Sequence, residues 1–331
     1  MKKIIILILM VFTGYNIVLS QSNKITYVSD QNSSGYYQVF VMNEDGGDKK
    51  QLTDMSTDCF FPKWSPDGSK IVFNTEDGRI FFINNVNTNK PDEPYFVFGG
   101  EHPSFSTDNE TIIFNSDYEG ILTIYAMAYN ESEPIIVSNI GYSNQQVLSK
   151  DGSKIVFSSF MQGGKDVMLI DLDDTTENNV YQISNNDNAN LLPDISSDNL
   201  MIVWASFNNN LQGTIHTYKD GKERAISKGI ESAHRPKFSP NDTKIAFVAI
   251  GDTKVKFYTM DLEGNNRKSY DVRGGSVANY MWIDNERILY DAEDGKNYDV
   301  GILNISTGKS ELLTDKGSSM HPDILKLISI K

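Results

Sequence analysis

One sequence frame recurs along the chain and constrains most of what it can fold into. From Phe61 it reads FPKWSPDGSKIVF. It returns as HPSFSTDNETIIF from His102, QQVLSKDGSKIVF from Gln145, LPDISSDNLMIVW from Leu192 and RPKFSPNDTKIAF from Arg235. A sixth copy, NYMWIDNERILY around Tyr280, has a turn shorter by one residue. The aromatic that ends each copy sets the phase: Phe73, Phe114, Phe157, Trp204, Phe247 and Tyr290, with Tyr27 one step upstream. Neighbouring members of this series lie 41 to 47 residues apart. A period in the forties is the length of one four-stranded blade in a radial β array.

The chemistry of the frame predicts a β-hairpin. Segments such as Lys70-Ile71-Val72-Phe73 are short and β-prone, and turn residues separate them. Pro66 presets φ at the first corner, and Asp67 is placed to hydrogen-bond nearby backbone. Gly68 takes the positive φ that a three-residue hairpin loop needs. Its equivalents are Asn109, Gly152, Asn199, Asp242 and Asn285, all residue types that tolerate the left-handed region. A third strand follows each hairpin, as in QVFVMN from Gln38 and DVGILNI from Asp299. Fourth strands often end in a signature: Gln51-Leu52-Thr53-Asp54, Gln182-Ile183-Ser184-Asn185, Leu312-Leu313-Thr314-Asp315. No amphipathic helical stretch of ten residues occurs beyond residue 20.

The expected fold is therefore all-β: a seven-bladed β-propeller of four-stranded blades, with a six-bladed ring as the alternative. Second strands ending at the phased aromatic number seven. Lys24 to Tyr27 is a second strand with no first strand before it, while His321-Pro322-Asp323-Ile324 is a first strand with nothing after it. The C-terminal first strand is expected to join the N-terminal three strands in one composite blade, which removes a free edge and ties the termini together.

The N-terminus reads MKKIIILILMVFTGYNIVLSQ. Two lysines, an apolar run from Ile4 to Phe12, and small residues Val18 and Ser20 before Gln21 predict a secretory signal peptide over residues 1–20. The propeller then occupies 21–331, exported to the periplasm or outside the cell, with no transmembrane segment in the mature chain. The whole chain carries a formal charge of −14, and the cut removes two lysines and no acid. That acidity argues against a nucleic-acid partner. One Cys among 331 residues excludes an intramolecular disulfide framework.

The frames FPKWSPDGSKIVF and RPKFSPNDTKIAF, with QLTD and LLTD ending blades, resemble the bacterial PD40 (WD40-like) repeat of the TolB-like propeller family. The same repeat occurs in propellers attached to prolyl oligopeptidase-like peptidases. The resemblance spans essentially the whole mature chain and implies a fold far more than a function. TolB-like proteins carry an N-terminal α/β domain and six blades, whereas here the first blade begins just after the expected cleavage site and seven are counted. No Gly-x-Ser-x-Gly nucleophile elbow occurs.

First strands of a propeller line its channel, so the residues opening each frame are candidates for a contact surface. Phe61, His102, Gln145, Arg235, Tyr280 and His321 form the expected partner-binding set at the channel mouth, since aromatics and Arg serve as anchors. The expected function is a non-enzymatic platform for an envelope or extracellular protein or peptide, without a cofactor. The alternative is a carbohydrate-active propeller acting on acidic oligosaccharide, either a glycan-binding module or a metal-assisted lyase. In that reading His102, His234 and His321 hold a divalent transition metal. Asp194, Glu231 and Asp323 are possible carboxylates near the same strands, though strand-end capping is the plainer role for them. His216 is expected to be structural and Cys59 a small buried residue. The acidic loops at Asp45–Asp48, Asp171–Asp174 and Glu293–Gly295 lack the register of a calcium loop and read as turns.

Overall fold

The computed structural model describes residues 23–326, apart from residues 33, 139, 162–163, 175, 177–178, 231 and 251–254. The expected signal peptide and Glu231 lie outside the described residues. The second, third and fourth strands at the N-terminus are β1 (Lys24–Ser29), β2 (Gln38–Asn43) and β3 (Lys50–Gln51). Next come β4 (Cys59–Trp64), β5 (Ile71–Thr75), β6 (Arg79–Ile83) and β7 (Tyr95–Gly99). They are followed by β8 (Glu101–Phe105), β9 (Thr111–Ser116), β10 (Thr123–Ala128) and β11 (Ile135–Ile136). The central strands are β12 (Tyr142–Leu148), β13 (Lys154–Met161), β14 (Gly164–Asp171) and β15 (Val180–Gln182). After them run β16 (Ala189–Ile195), β17 (Met201–Phe207), β18 (Gly213–Lys219) and β19 (Lys222–Ala225). Then come β20 (His234–Phe238), β21 (Ile245–Ile250), β22 (Val255–Met260) and β23 (Lys268–Tyr270). The last are β24 (Ser276–Trp282), β25 (Arg287–Glu293), β26 (Tyr298–Asn304), β27 (Lys309–Leu312) and β28 (Ser319–Leu325).

The strands sort into seven groups of four, here called blades 1 to 7. Five are separate antiparallel sheets, and blades 4 and 5 are joined by a single parallel bridge, Lys165 to Ala189. Blade 1 is composite: its order is β28-β1-β2-β3, with Ile25 opposite Ile324. The C-terminal strand thus completes the N-terminal blade, as expected from the orphan frame at His321.

Packing closes the ring. Seven buried apolar clusters lie between successive blades, one for each neighbouring pair. One joins Val28 and Val41 of blade 1 to Trp64 and Phe73 of blade 2. Another joins Leu289 and Val300 of blade 7 to Ile25 and Tyr27 of blade 1. The phased aromatics Tyr27, Phe73, Phe114, Phe157, Trp204, Phe247 and Tyr290 are all 0% exposed. Each such ring contributes about 1.5–3 kcal/mol of hydrophobic stabilisation, which explains why an aromatic recurs there.

The fourth-strand signature also has a physical cause. Where that strand turns back, the Oγ of a Thr or Ser accepts a backbone N–H from the third strand. Thr53 accepts from Val39, Ser184 from Val167 and Thr314 from Val300. Each hydroxyl then donates onward, to Gln38, Asp166 and Asp299 respectively. An apolar residue before the Thr or Ser would leave two polar groups unpaired if moved into its place.

At the hairpin turns, Gly68, Asn109, Gly152, Asn199 and Asp242 take the left-handed conformation expected of them, with φ from 53° to 79°. Asn285 is the exception: it does not have positive φ, because the shorter turn of blade 7 closes with Ile283 N–H donating to Arg287 O. Asn285 is used differently. Its Oδ1 accepts the N–H of Asn241 in the preceding blade, as Asn109 Oδ1 accepts that of Asp67. Asp242 likewise accepts from Ser197 N–H. The preference for Asn and Asp at this corner therefore has a second cause, a hydrogen bond between blades. At Gly68 the constraint is steric as well, because a Cβ there would meet Leu325 Cδ2 at 2.3 Å.

Candidate functional site

The first strands pack on one another from blade to blade (β28 on β4, β4 on β8, β16 on β20), so they form the wall of the channel. Six of them share one irregularity. Two residues of the first strand oppose the single phased aromatic of the second, a β-bulge that turns the strand and re-aims its side chain. The first bulged residue has positive φ in each: 51° at Phe61, 51° at His102, 57° at Gln145, 58° at Leu192, 54° at Arg235 and 53° at His321. A side chain held there costs on the order of 1 kcal/mol, so the surrounding sheet must hold it in place.

In ring order these residues touch their neighbours. His321 stacks on Phe61, with ring centroids 4.0 Å apart and planes at 25°. His102 packs against the same ring at 4.3 Å. His102 O accepts from Gln146 Nε2 at 3.2 Å. Gln145 Oε1 accepts from Leu192 N–H at 2.9 Å and from Ser158 Oγ at 3.0 Å. Across the channel, Arg235 Nη1 donates to Asn279 Oδ1 at 2.9 Å. Asn279 donates from its backbone and its side chain to the Asp291 carboxylate, which also accepts His321 N–H at 2.7 Å. A cavity of 320 Å³ opens at the aromatic side, lined by Phe61, Lys63, His102, Ser104, Gln145 and Gln146, among others.

The charged form is disfavoured at both imidazoles. Burial pushes His321 down to about 3, reinforced by Lys63, His102 and Arg235. His102 is exposed to the channel, yet the surrounding protein still lowers its pKa, with Lys63 adding to the effect and Glu101 opposing it. An uncharged imidazole packs on Phe61 without a desolvation penalty for a cation.

Five of the six expected contact residues, Phe61, His102, Gln145, Arg235 and His321, come together on this ring. Tyr280 does not. It is 6% exposed, and its hydroxyl donates to Arg235 O and Ala246 O, locking blade 7 to blade 6. Its ring instead packs edge-on against Phe257. Asn279 takes the channel position. The signal was present in the sequence: aligning Trp282 with Trp64 through the shortened turn puts Asn279, not Tyr280, at the place of Phe61. Lys63, Gln146 and Asp291 are further members of the ring that the opening-residue argument did not reach.

The three histidines proposed as metal ligands do not converge. Phe61 stands between His102 and His321 in ring order, and His234 lies beside Arg235 in blade 6. Among the described residues, no group of three His, Cys, Asp or Glu side chains is arranged to hold a metal ion. The two described carboxylate candidates join blades. Asp323 accepts Trp64 N–H at 3.0 Å and pairs with Lys63 Nζ at 3.1 Å. Asp194 accepts Phe238 N–H at 2.8 Å; burial raises its pKa, and Lys237 opposes that rise. The same frame position makes the same junction twice, between blades 1 and 2 and between blades 5 and 6.

The remaining polar candidates are structural. His216 bonds Glu223 at 2.7 Å and packs on Trp204. Cys59 is 0% exposed, and burial pushes its thiol up to about 12. In the acidic loops, Asp45 accepts Gly47 N–H, Asp171 accepts Asp173 N–H, and Asp294 accepts from Lys296 and Asn297. These are turn closures of the kind expected from the sequence.

A closed ring of antiparallel blades with a bulged, side-chain-lined channel defines a β-propeller. The chain belongs to the PD40 family, the TolB β-propeller domain, whose model matches residues 13–285. An uncharacterized protein of Agrobacterium fabrum is 23% identical over 232 residues, which cover 65% of this chain and 76% of that protein. The structure of a putative TolB from Agrobacterium tumefaciens superposes with a TM-score of 0.54 at 20% identity, covering 78% of this chain and 91% of that one. A puromycin-hydrolyzing peptidase of Mycobacterium tuberculosis superposes with a TM-score of 0.70 at 13% identity, covering 88% of this chain. The match spans 51% of that peptidase, so the likeness is to part of it. These structural likenesses are of fold alone. No helix among the described residues is long and apolar enough to cross a membrane.

Proposed function

We propose that this protein is an exported, non-enzymatic platform that binds a protein or peptide of the cell envelope at its channel mouth. The observation that carries the reading is the cluster of His321, Phe61 and His102 rings beside the 320 Å³ cavity. Rigid aromatic side chains on a concave surface lose little entropy on binding, and Lys63, Gln145 and Arg235 supply polar contacts around them. Membership of the TolB propeller family supports a protein-binding role in the envelope. The carbohydrate-active reading finds less support, because its histidines are apart and Asp194 and Asp323 are occupied at blade junctions.

Site-specific photocrosslinking in the producing cell tests this. A crosslinker replacing His102 should capture a discrete protein partner that one replacing Lys222, on the outer rim, does not. Adducts at neither position, or the same adducts at both, would remove the channel mouth as the binding site.

A further inference from the structure

The outermost strand of a sheet is exposed to unwanted pairing, because one row of its N–H and C=O groups faces solvent. Here β3, β19, β23 and β27 each carry a lysine, at Lys50, Lys222, Lys268 and Lys309. β11 and β15 are only two and three residues long. β7 has neither protection, and its one irregularity against β6 is a bulge at Val97, between Phe96 opposite Phe81 and Phe98 opposite Ile80. Its sequence is YFVFG, five residues without a charge, and Phe96 is 54% exposed. It pairs with β6 on one side and, among the described residues, with no strand on the other.

A groove of 1030 Å³ runs along this strand between blades 2 and 3. Phe96, Val97 and Phe98 line it together with Tyr118 and Tyr142, which are 58% and 45% exposed. Its rim carries Glu76, Asp77, Glu101, Asp117 and Glu131, and no basic side chain lines it. Asp77 is paired with Arg79 at 2.7 Å. This surface approaches the channel mouth where Glu101 adjoins His102 and along β12, where Tyr142 precedes Asn144.

We propose that β7 receives an extended cationic segment of a partner protein as an added strand. Main-chain hydrogen bonds to the free edge would supply affinity, and alternate apolar side chains would pack on Phe96 and Tyr118. The carboxylate rim selects the sign of the flanking residues. A second copy of this chain is disfavoured, because pairing β7 with β7 would place two acidic rims within a Debye length of about 10 Å.

The test uses the purified exported protein and a fluorescent twelve-residue peptide of alternating valine and lysine, with a valine–glutamate peptide as its counterpart. The lysine peptide should bind, slow hydrogen exchange at Val97 and Phe98, and weaken as salt is raised. Phe96→Lys, which copies the protection of the other rims, should cost at least tenfold in affinity with unchanged melting. Asp117→Lys should cost about threefold. Equal binding of both peptides, unchanged exchange in β7, or an unaffected Phe96→Lys variant would overturn the proposal. So would a dimer of the unliganded protein that Phe96→Lys dissociates. Crosslinking at His102 is independent of these outcomes and separates this edge from the channel mouth.

Discussion

The two sides of the channel mouth are built around the first strands of their blades and hold themselves together by different physics. On the side of blades 1 to 3, His321, Phe61 and His102 are joined by ring packing. On the side of blades 6 and 7, Arg235, Asn279 and Asp291 are joined by directed hydrogen bonds. Stacked rings tolerate sliding and exchange of partner, because dispersion has little directionality. A buried carboxylate with fixed donors does not, because each donor left unpaired costs its full desolvation. The first side is therefore the more adaptable and the second the more rigid.

The largest effect should come from the polar side. Asp291 is 0% exposed and accepts from Asn279 and from His321 N–H, which belongs to the C-terminal strand. Asp291→Ala leaves those donors unpaired at the closure of the ring, and should cost about 3 kcal/mol in urea unfolding. A loss below about 1 kcal/mol would mean this side is no more rigid than the other. Phe61→Ala should cost less, about 1–2 kcal/mol, because its ring is only partly buried. The same change should abolish partner capture at the mouth, whereas Phe61→Tyr should retain it. Loss of capture without loss of stability would sharpen the division between contact and scaffold.

A pH experiment separates the two sides further. His321 has its native pKa depressed to about 3, against an ordinary unfolded value near 6.5. Between those values the unfolded chain takes up a proton that the native chain refuses. Stability from this group is therefore present above about pH 6.5 and is lost as pH falls toward 3. His234, depressed to about 4 by burial and by Arg235, acts in the same direction. Asp194 and Asp291, whose pKa values burial raises, act in the opposite one. The informative quantity is the difference between wild type and His321→Phe, a change that keeps the stacked ring at a φ already adopted by Phe61. Between pH 7 and pH 5 the wild type should lose about 2 kcal/mol more than the variant. An identical pH profile for both would show that His321 titrates normally and that the aromatic wall carries charge.

The smallest stability effect is expected at Arg235, half-exposed and bonded to Asn279 through one hydrogen bond. Arg235→Ala should cost under about 1 kcal/mol in thermal unfolding. A cost as large as that of Asp291→Ala would make Arg235 part of the scaffold and remove it from the contact set.

The sequence by itself determined the all-β propeller class, the strand repeat and the composite blade. Each rests on local rules that repeat: a turn with Gly, Asn or Asp at one corner, an aromatic at one core position, and a Thr or Ser that closes the fourth strand. Repetition made those rules legible, since one frame read several times fixes the phase even where a single copy is ambiguous. Five channel-wall positions were legible for the same reason, because they open the frame at one position. Tyr280 was misplaced by one position, because blade 7 puts its bulge at Ala278 and leaves Tyr280 opposite Tyr290, buried between blades. The tertiary structure alone decided what those positions do. Phe61 separates two histidines that a linear reading would bring to one metal, and Asp194 and Asp323 turn away to the neighbouring blade. Such outcomes depend on angles and distances between blades far apart in the chain, and a bulge of one residue sets them. No periodic pattern encodes that geometry, because only the closed ring brings the residues together.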